Sequence, residues 1–187
     1  MKGYNGRRLK ACSLSLLTPL FSPIMLVQHF QRLGRYNTLA NDKLYAACAQ
    51  LSDAERILSR PAFFKSIHGT LNHILIGDRI WMTRFEGGTT PSTGLDAILY
   101  EAFDELRAAW VEQDERIEAF AADLTHEFLT QSIQYINNQE RHLDDPVDLL
   151  VAHFFNHQTH HRGQIHDLLT QTTVAPPSLD LHRVLRP

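Results

Sequence analysis

From Met25 onward the apolar residues recur at helical spacing with little interruption. Leu26, Phe30, Leu33, Ala40, Leu44, Ala47 and Leu51 return mostly at three- and four-residue steps, the period of a helix that buries one face. The pattern stops near Ser52, where Ser52 and Glu55 have the spacing of a capping box ahead of a short helix carrying Ile57 and Leu58. A second long helix is predicted over residues 66–85, ended by Gly87 and Gly88. After a Thr, Pro, Ser and Gly linker over 89–94, a third is predicted over 95–124, with Ile98, Phe103, Leu106, Trp110, Ile117 and Phe120 on its apolar face. The period then changes. Residues 128–135 are β-branched and aromatic, Asn137 and Asn138 offer a turn, and 140–143 can return as a second short strand. Pro146 starts a fourth helix that ends before Pro176 and Pro177. Four long helices, with a hairpin or extended segment between the third and fourth, predict an all-α four-helix bundle.

A chain of 187 residues, 43% hydrophobic and 21% charged, is long enough for one core and predicts a single domain over residues 25–187. The net charge of −3, with no basic helix face, argues against a nucleic-acid partner. No apolar stretch reaches the length of a membrane span, so no membrane partner is expected. Cys12 and Cys48 form neither a zinc-like pair nor a disulfide framework, which fits a reducing, cytoplasmic setting. Residues 1–24 read as a leader, disordered or upstream of a true start at Met25. Lys2, Arg7, Arg8 and Lys10 ahead of an apolar stretch have the charge order of an export signal, but Pro19 and Pro23 interrupt it and no small-residue cleavage site follows.

The fourth helix carries the chemistry. Five of the 11 histidines fall within 14 residues, at positions 153, 157, 160, 161 and 166. At about 100° per residue, His153, His157 and His161 share a face with Leu150, Phe154, Gln164, Ile165 and Leu168, the face that must turn to the core. His160 lies to the other side of that stripe and His166 points away. Several imidazoles among apolar side chains are hard to satisfy without an ion, and histidines at i and i+4 can reach one metal. His157 and His161 are therefore the best pair. A third ligand has to come from another helix, and His73 is the leading candidate: it lies mid-way along the second helix, with Gly77 one turn later leaving space. The other reading of all three is a set of hydrogen-bonded core histidines. His68, near the helix start, reads as a solvated or capping group, and His29, His126, His142 and His182 as structural or solvent-facing. His153 and His160 read as pocket groups. Asp78 reads as a partner for Arg162 or a backbone group, Arg162 as an ion-pairing or helix-orienting residue, and Gly163 as a point of close helix approach. Tyr36, Asn37 and Asn41 are placed to line the pocket mouth, and bonding between helices accounts for Asn37 and Asn41 equally well.

The strings RYNTLAND, SIHGTLNHILIGDRIW, NHQTHHRGQ and PPSLDLHRVLR together resemble the DinB/YfiT-like family, over about residues 25–187. NHQTHHRGQ is the specific part. The resemblance implies a four-helix bundle, a homodimer, and one divalent metal held by a histidine of the second helix and two of the fourth, which here are His73, His157 and His161. It implies no DNA contact. Its chemistry is broad: some relatives are thiol-dependent S-transferases and others hydrolase-like.

Three neutral imidazoles leave a divalent ion its full charge and open positions, so that it can acidify a bound water or hold a thiol as thiolate. Zinc, nickel and iron suit such a site comparably. Either chemistry needs a proton acceptor, and His160 is the candidate. No nucleophile motif, phosphate loop or dinucleotide fingerprint competes with this centre. The expected function is a metal-dependent enzyme, a thiol S-transferase or hydrolase, acting on a small molecule in stress response or detoxification, with a low-molecular-weight thiol as a candidate cosubstrate. The alternative is a non-catalytic, stress-induced protein that binds a metal or small ligand. A fourth protein ligand such as His153 would favour the alternative, and an open site with a pocket the enzyme.

Overall fold

The computed structural model describes residues 23–137 and 139–186. The predicted leader, Cys12 and Asn138 lie outside them, except that Pro23 and Ile24 already belong to the first helix. In chain order the elements are α1 (Pro23–Cys48), α2 (Asp53–Ile57), α3 (Ile67–Phe85), α4 (Phe103–Ala122), α5 (His126–Leu129), β1 (Ser132–Ile136), β2 (His142–Pro146), α6 (Val147–Leu169) and α7 (Leu181–Leu185). The capping box is present: Ser52 accepts from the Glu55 backbone N–H, and the Glu55 carboxylate accepts from that of Ser52.

The four long helices close a ring in which α1 packs on α4 and α6, and α3 packs on the same two. Two apolar clusters fill its ends. One gathers Leu44, Leu71, Ile74, Leu106, Trp110 and Ile165; the other gathers Phe30, Met82, Phe85, Ile117, Val151 and Phe154. The second cluster is met first along α1 and α6 and last along α3 and α4. Hence α1 and α6 run one way, and α3 and α4 the other.

Between the clusters lies a buried polar layer to which every long helix contributes. Asn37 and Asn41 donate to Asp114 Oδ1 at 3.0 and 2.8 Å, and Gln158 Nε2 donates to Asp78 Oδ1. Arg162 Nη1 donates to the side-chain oxygens of Asn37, Asn41 and Gln158. Burial drives the Asp114 carboxyl up to about 7, against the Asn41 bond and the Arg162 charge, and drives Asp78 well above its ordinary value. Such a layer contributes little net stability, because desolvating charges costs several kcal/mol each. It does define register. Sliding one helix by a turn, about 5.4 Å, would leave these carboxyls and the guanidinium facing apolar side chains.

Three expectations change. Residues 95–102 are not the start of the third helix; they form an irregular strap, and α4 begins at Phe103. Because α3 and α4 run the same way, the link between them has to travel back along the bundle, which a helix flowing straight into α4 could not do. Asn72 Oδ1 holds this strap by accepting from the Leu99 and Tyr100 N–H groups at 2.9 and 3.1 Å. The hairpin is shifted: residues 126–129 form one helical turn capped by Thr125, and β1 pairs antiparallel with β2, with Ser132 opposite Pro146 and Ile136 opposite His142. Asn137 makes the turn, as expected, by accepting from the N–H groups of Gln139 and Arg141. At Gly163 an added Cβ would meet nothing within 4 Å, so no helix approaches closely there.

Candidate metal centre

Antiparallel packing of α3 on α6 brings His73 of one helix beside His157 and His161 of the other. One ligand-capable atom from each ring lies within 4.8 Å of the other two. The ring orientations are fixed by what the far nitrogens bond. His73 Nδ1–H donates to the Leu95 carbonyl of the strap at 2.7 Å, and His161 Nδ1–H donates to Gln164 Oε1 at 2.8 Å. Each ring is thereby set in the tautomer whose Nε2 carries a lone pair. These two Nε2 atoms face each other at 3.2 Å.

Two lone pairs so close repel unless a cation lies between them. A proton is disfavoured: burial lowers the pKa of His73, takes His161 down to about 4, and, with the neighbouring rings, takes His157 down to about 3. A metal ion fits. Two nitrogens each about 2.0–2.1 Å from a tetrahedral ion stand about 3.3–3.4 Å apart. His157 Nδ1 is buried with no hydrogen-bond partner, so this ring is not held by the protein's own polar groups.

Glycines give the rings their room. A Cβ on Gly77 would fall 2.8 Å from His157 Cε1, so the space left by Gly77 is filled by the imidazole itself. A Cβ on Gly69 would fall 2.4 Å from the Phe64 carbonyl. Its absence lets the turn ahead of α3, with Lys65 at a φ of 66°, fold back and stack Phe64 on the His73 ring at 3.8 Å between centroids.

Recesses flank the triad on two sides. One, of about 520 Å³, is lined by Phe63, Phe64, Asp96, His160 and Gln164 together with His73 and His161. The other, of about 370 Å³, runs between α3 and α6 past Gly77, Trp81, Arg84, His153 and His157 to Tyr135 of the hairpin. The larger cleft of about 1000 Å³ lies along the 86–94 loop and does not reach the triad.

The remaining histidines separate as their positions on the helices require. His160 is exposed beside the triad, its ring 4.8 Å from that of His161, and its Nε2 accepts from the Gln164 amide at 3.2 Å. His153 is exposed and packs edge-on against Trp81, its ring 6.3 Å from His157 and outside the triad. His29, His126, His142 and His182 are exposed, and His166 is apart from the site. His68 departs from expectation: it is buried, and its Nε2–H donates to the Tyr100 carbonyl at 2.8 Å, pinning the same strap that orients His73. Asp78 reaches Arg162 only through Gln158, and Asn37 and Asn41 bond between helices instead of lining a pocket. Tyr36 donates to the Leu179 carbonyl at 2.7 Å. Sequence reasoning missed the roles of Gln164 and Phe64. The first was legible in its spacing, three residues after His161 and four after His160; the second depends on a turn.

Comparison with known proteins agrees with this architecture. The sequence model of the DinB family matches residues 25–187. The chain belongs to the DinB family. It is 26% identical over 155 residues to Protein DinB of Bacillus subtilis (strain 168), covering 80% of this chain and 89% of that protein. Its fold is similar to the crystal structure of a DinB-like protein from Bacillus cereus ATCC 10987, with a TM-score of 0.62 and 17% identity, covering 81% of this chain and 95% of that one. Among the described residues no helix is long and apolar enough to cross a membrane.

Proposed function

We propose that this DinB-family protein is a metal-dependent enzyme acting on a small molecule, of thiol S-transferase or hydrolase type, with one zinc, nickel or iron ion per chain held by His73, His157 and His161. The observation that carries this reading is the pair of Nε2 lone pairs facing each other at 3.2 Å, each ring locked in that tautomer by a bond on its far side. Held by these three neutral imidazoles, a divalent ion would keep its full charge and would supply acidification of a thiol or water near neutral pH. The chain's own contribution is orientation and proton handling. The strap and Gln164 aim two rings, and Phe64 shields the His73 face from solvent. His160 is the proton acceptor: its Nε2 lies at the surface beside the triad, engaged only by the Gln164 amide. That His153 stays with Trp81 and outside the triad supports an open, catalytic site over a closed binding site. The homodimer, and a cytoplasmic role in stress response or detoxification, belong to the same proposal.

The test is elemental analysis of protein purified without a histidine tag, followed by turnover assays with low-molecular-weight thiols plus electrophiles and with hydrolysable substrates. About one divalent ion per chain is expected, with turnover that falls in His160→Ala while the metal stays. Protein that holds no metal, and takes up none from added zinc, nickel or iron, overturns the reading.

A further inference from the structure

The recess between α3 and α6 ends at an arginine whose charge the fold leaves unpaired. Arg84 is only 8% exposed, and among the described residues no carboxylate forms an ion pair with it. Its guanidinium sits in the corner formed by two rings packed edge-on, 4.7 Å from the Trp81 ring centroid and 4.4 Å from that of Tyr135. Of its five N–H donors, one bonds the Ile136 carbonyl at 3.2 Å, and Nε finds no partner. Burial without a counter-charge lowers its pKa from the ordinary value. Among the other buried arginines, Arg56 pairs with Asp53, Arg162 sits among amide oxygens beside two carboxyls, and Arg60 is held by the Glu55 and Leu58 carbonyls, away from the recess. A buried, pre-oriented guanidinium with spare donors is the usual device for gripping a planar oxyanion.

Its position relative to the triad gives the site a direction. On α3, Arg84 is offset from His73 by about 20° around the axis and lies about 10 Å along it from Gly77, level with His157. Both ends open into the same recess, whose walls between them include Ile80, Trp81 and Leu143. A volume of about 370 Å³ is at the small end of organic-ligand sites.

We propose that this recess is an acid-binding subsite: the substrate is a small organic anion whose carboxylate is held by Arg84, with its apolar body lying on Trp81 and its reacting end directed to His157. The placement of the reacting end rests on the metal-dependent reading above; recognition of the acid does not. The proposal separates the two jobs of Arg84. A purely structural tie to the hairpin through Ile136 would be indifferent to the charge of a ligand.

The experiment uses the full chain as purified, with 4-phenylbutanoate as the probe and 4-phenylbutanamide as its uncharged counterpart. Binding is followed by tryptophan emission, since Trp81 walls the recess and Trp110 is buried in the core. The acid is expected to bind at least about tenfold more tightly than the amide, the discrimination of a charge-assisted pair. In Arg84→Gln the preference should disappear while metal content is unchanged. Equal binding of acid and amide by the native protein overturns the proposal, and that comparison needs no variant to fold. A preference that survives in Arg84→Gln also overturns it, because the acid would then be held at the triad. A protein that takes up none of the added metals yet prefers the acid would leave this subsite standing while the metal-dependent reading fails.

Discussion

Gly77→Ala separates the metal site from the fold around it. The residue is helical, so alanine there is free of backbone strain and gains roughly 0.8–1.0 kcal/mol of helix propensity. The new methyl, however, falls 2.8 Å from His157 Cε1 and 3.4 Å from Nδ1. Ordinary carbon contacts begin near 3.5 Å, so the ring must retreat by about 0.7 Å. Ligand constellations tolerate displacements of only about 0.5 Å. Overpacking costs about 1–3 kcal/mol, which offsets the propensity gain and leaves metal-free stability unchanged or lower by up to about 2 kcal/mol. Metal affinity should fall about 10–100-fold, the loss seen when the support of a ligating group is disturbed. Competition with a chromophoric chelator measures the affinity, and thermal unfolding of metal-free protein measures the stability. Gly163→Ala is the control, because nothing lies within 4 Å of its added Cβ. It should stabilise by up to about 1 kcal/mol and leave the metal affinity alone. If Gly77→Ala binds metal as tightly as the native protein, His157 is not a ligand in the position described.

His157→Ala or His161→Ala should remove most of the metal, and His166→Ala should not; full retention in either of the first two, by elemental analysis, would remove that residue from the ligand set. Gln164→Ala frees His161 Nδ1 from its 2.8 Å bond and should weaken metal binding about 10–100-fold while leaving helical content intact by circular dichroism. The pH dependence follows from the depressed imidazoles. Protons compete with the metal only below a ligand's folded-state pKa, which is about 3 for His157 and about 4 for His161. Two imidazoles at the ordinary value near 6.5 would lose about 10³ in affinity by pH 5. These two should contribute less than about twofold between them, and burial also lowers His73 below the ordinary value, so the loss by pH 5 should fall far short of about 10³; a steep decline starting near pH 6.5 in the chelator assay would contradict the burial argument.

Much of this molecule follows from local pattern. Helical periodicity located α3 and the start of α6 to within one residue and α1 to within about four, because an amphipathic stripe of 19 residues or more is over-determined, whereas α6 ends at Leu169, well before the prolines taken as its limit. The i, i+4 spacing of His157 and His161 on the apolar face singled out that pair, and the capping box at Ser52 was readable letter by letter. At the strap and at His68 the structure departs from local pattern because side chains compete for backbone groups. Residues 95–102 carry Leu95, Ile98 and Leu99 at plausible helical spacing. Only packing reveals that Asn72 takes their N–H groups and His73 the Leu95 carbonyl, and that parallel α3 and α4 demand a returning strap. His68 is buried for the same reason, holding that strap at Tyr100. Tertiary structure alone decided which nitrogen of each imidazole is available, since a tautomer is set by a partner 22 residues away in one case and three in the other. It alone joined Arg84 to the recess, because a guanidinium on an α3 turn gains its meaning from the Tyr135 ring of a distant hairpin. Sequence encodes which residues lie on a face; the angle at which two faces meet, and the atoms that turn toward each other there, exist only once the helices have packed.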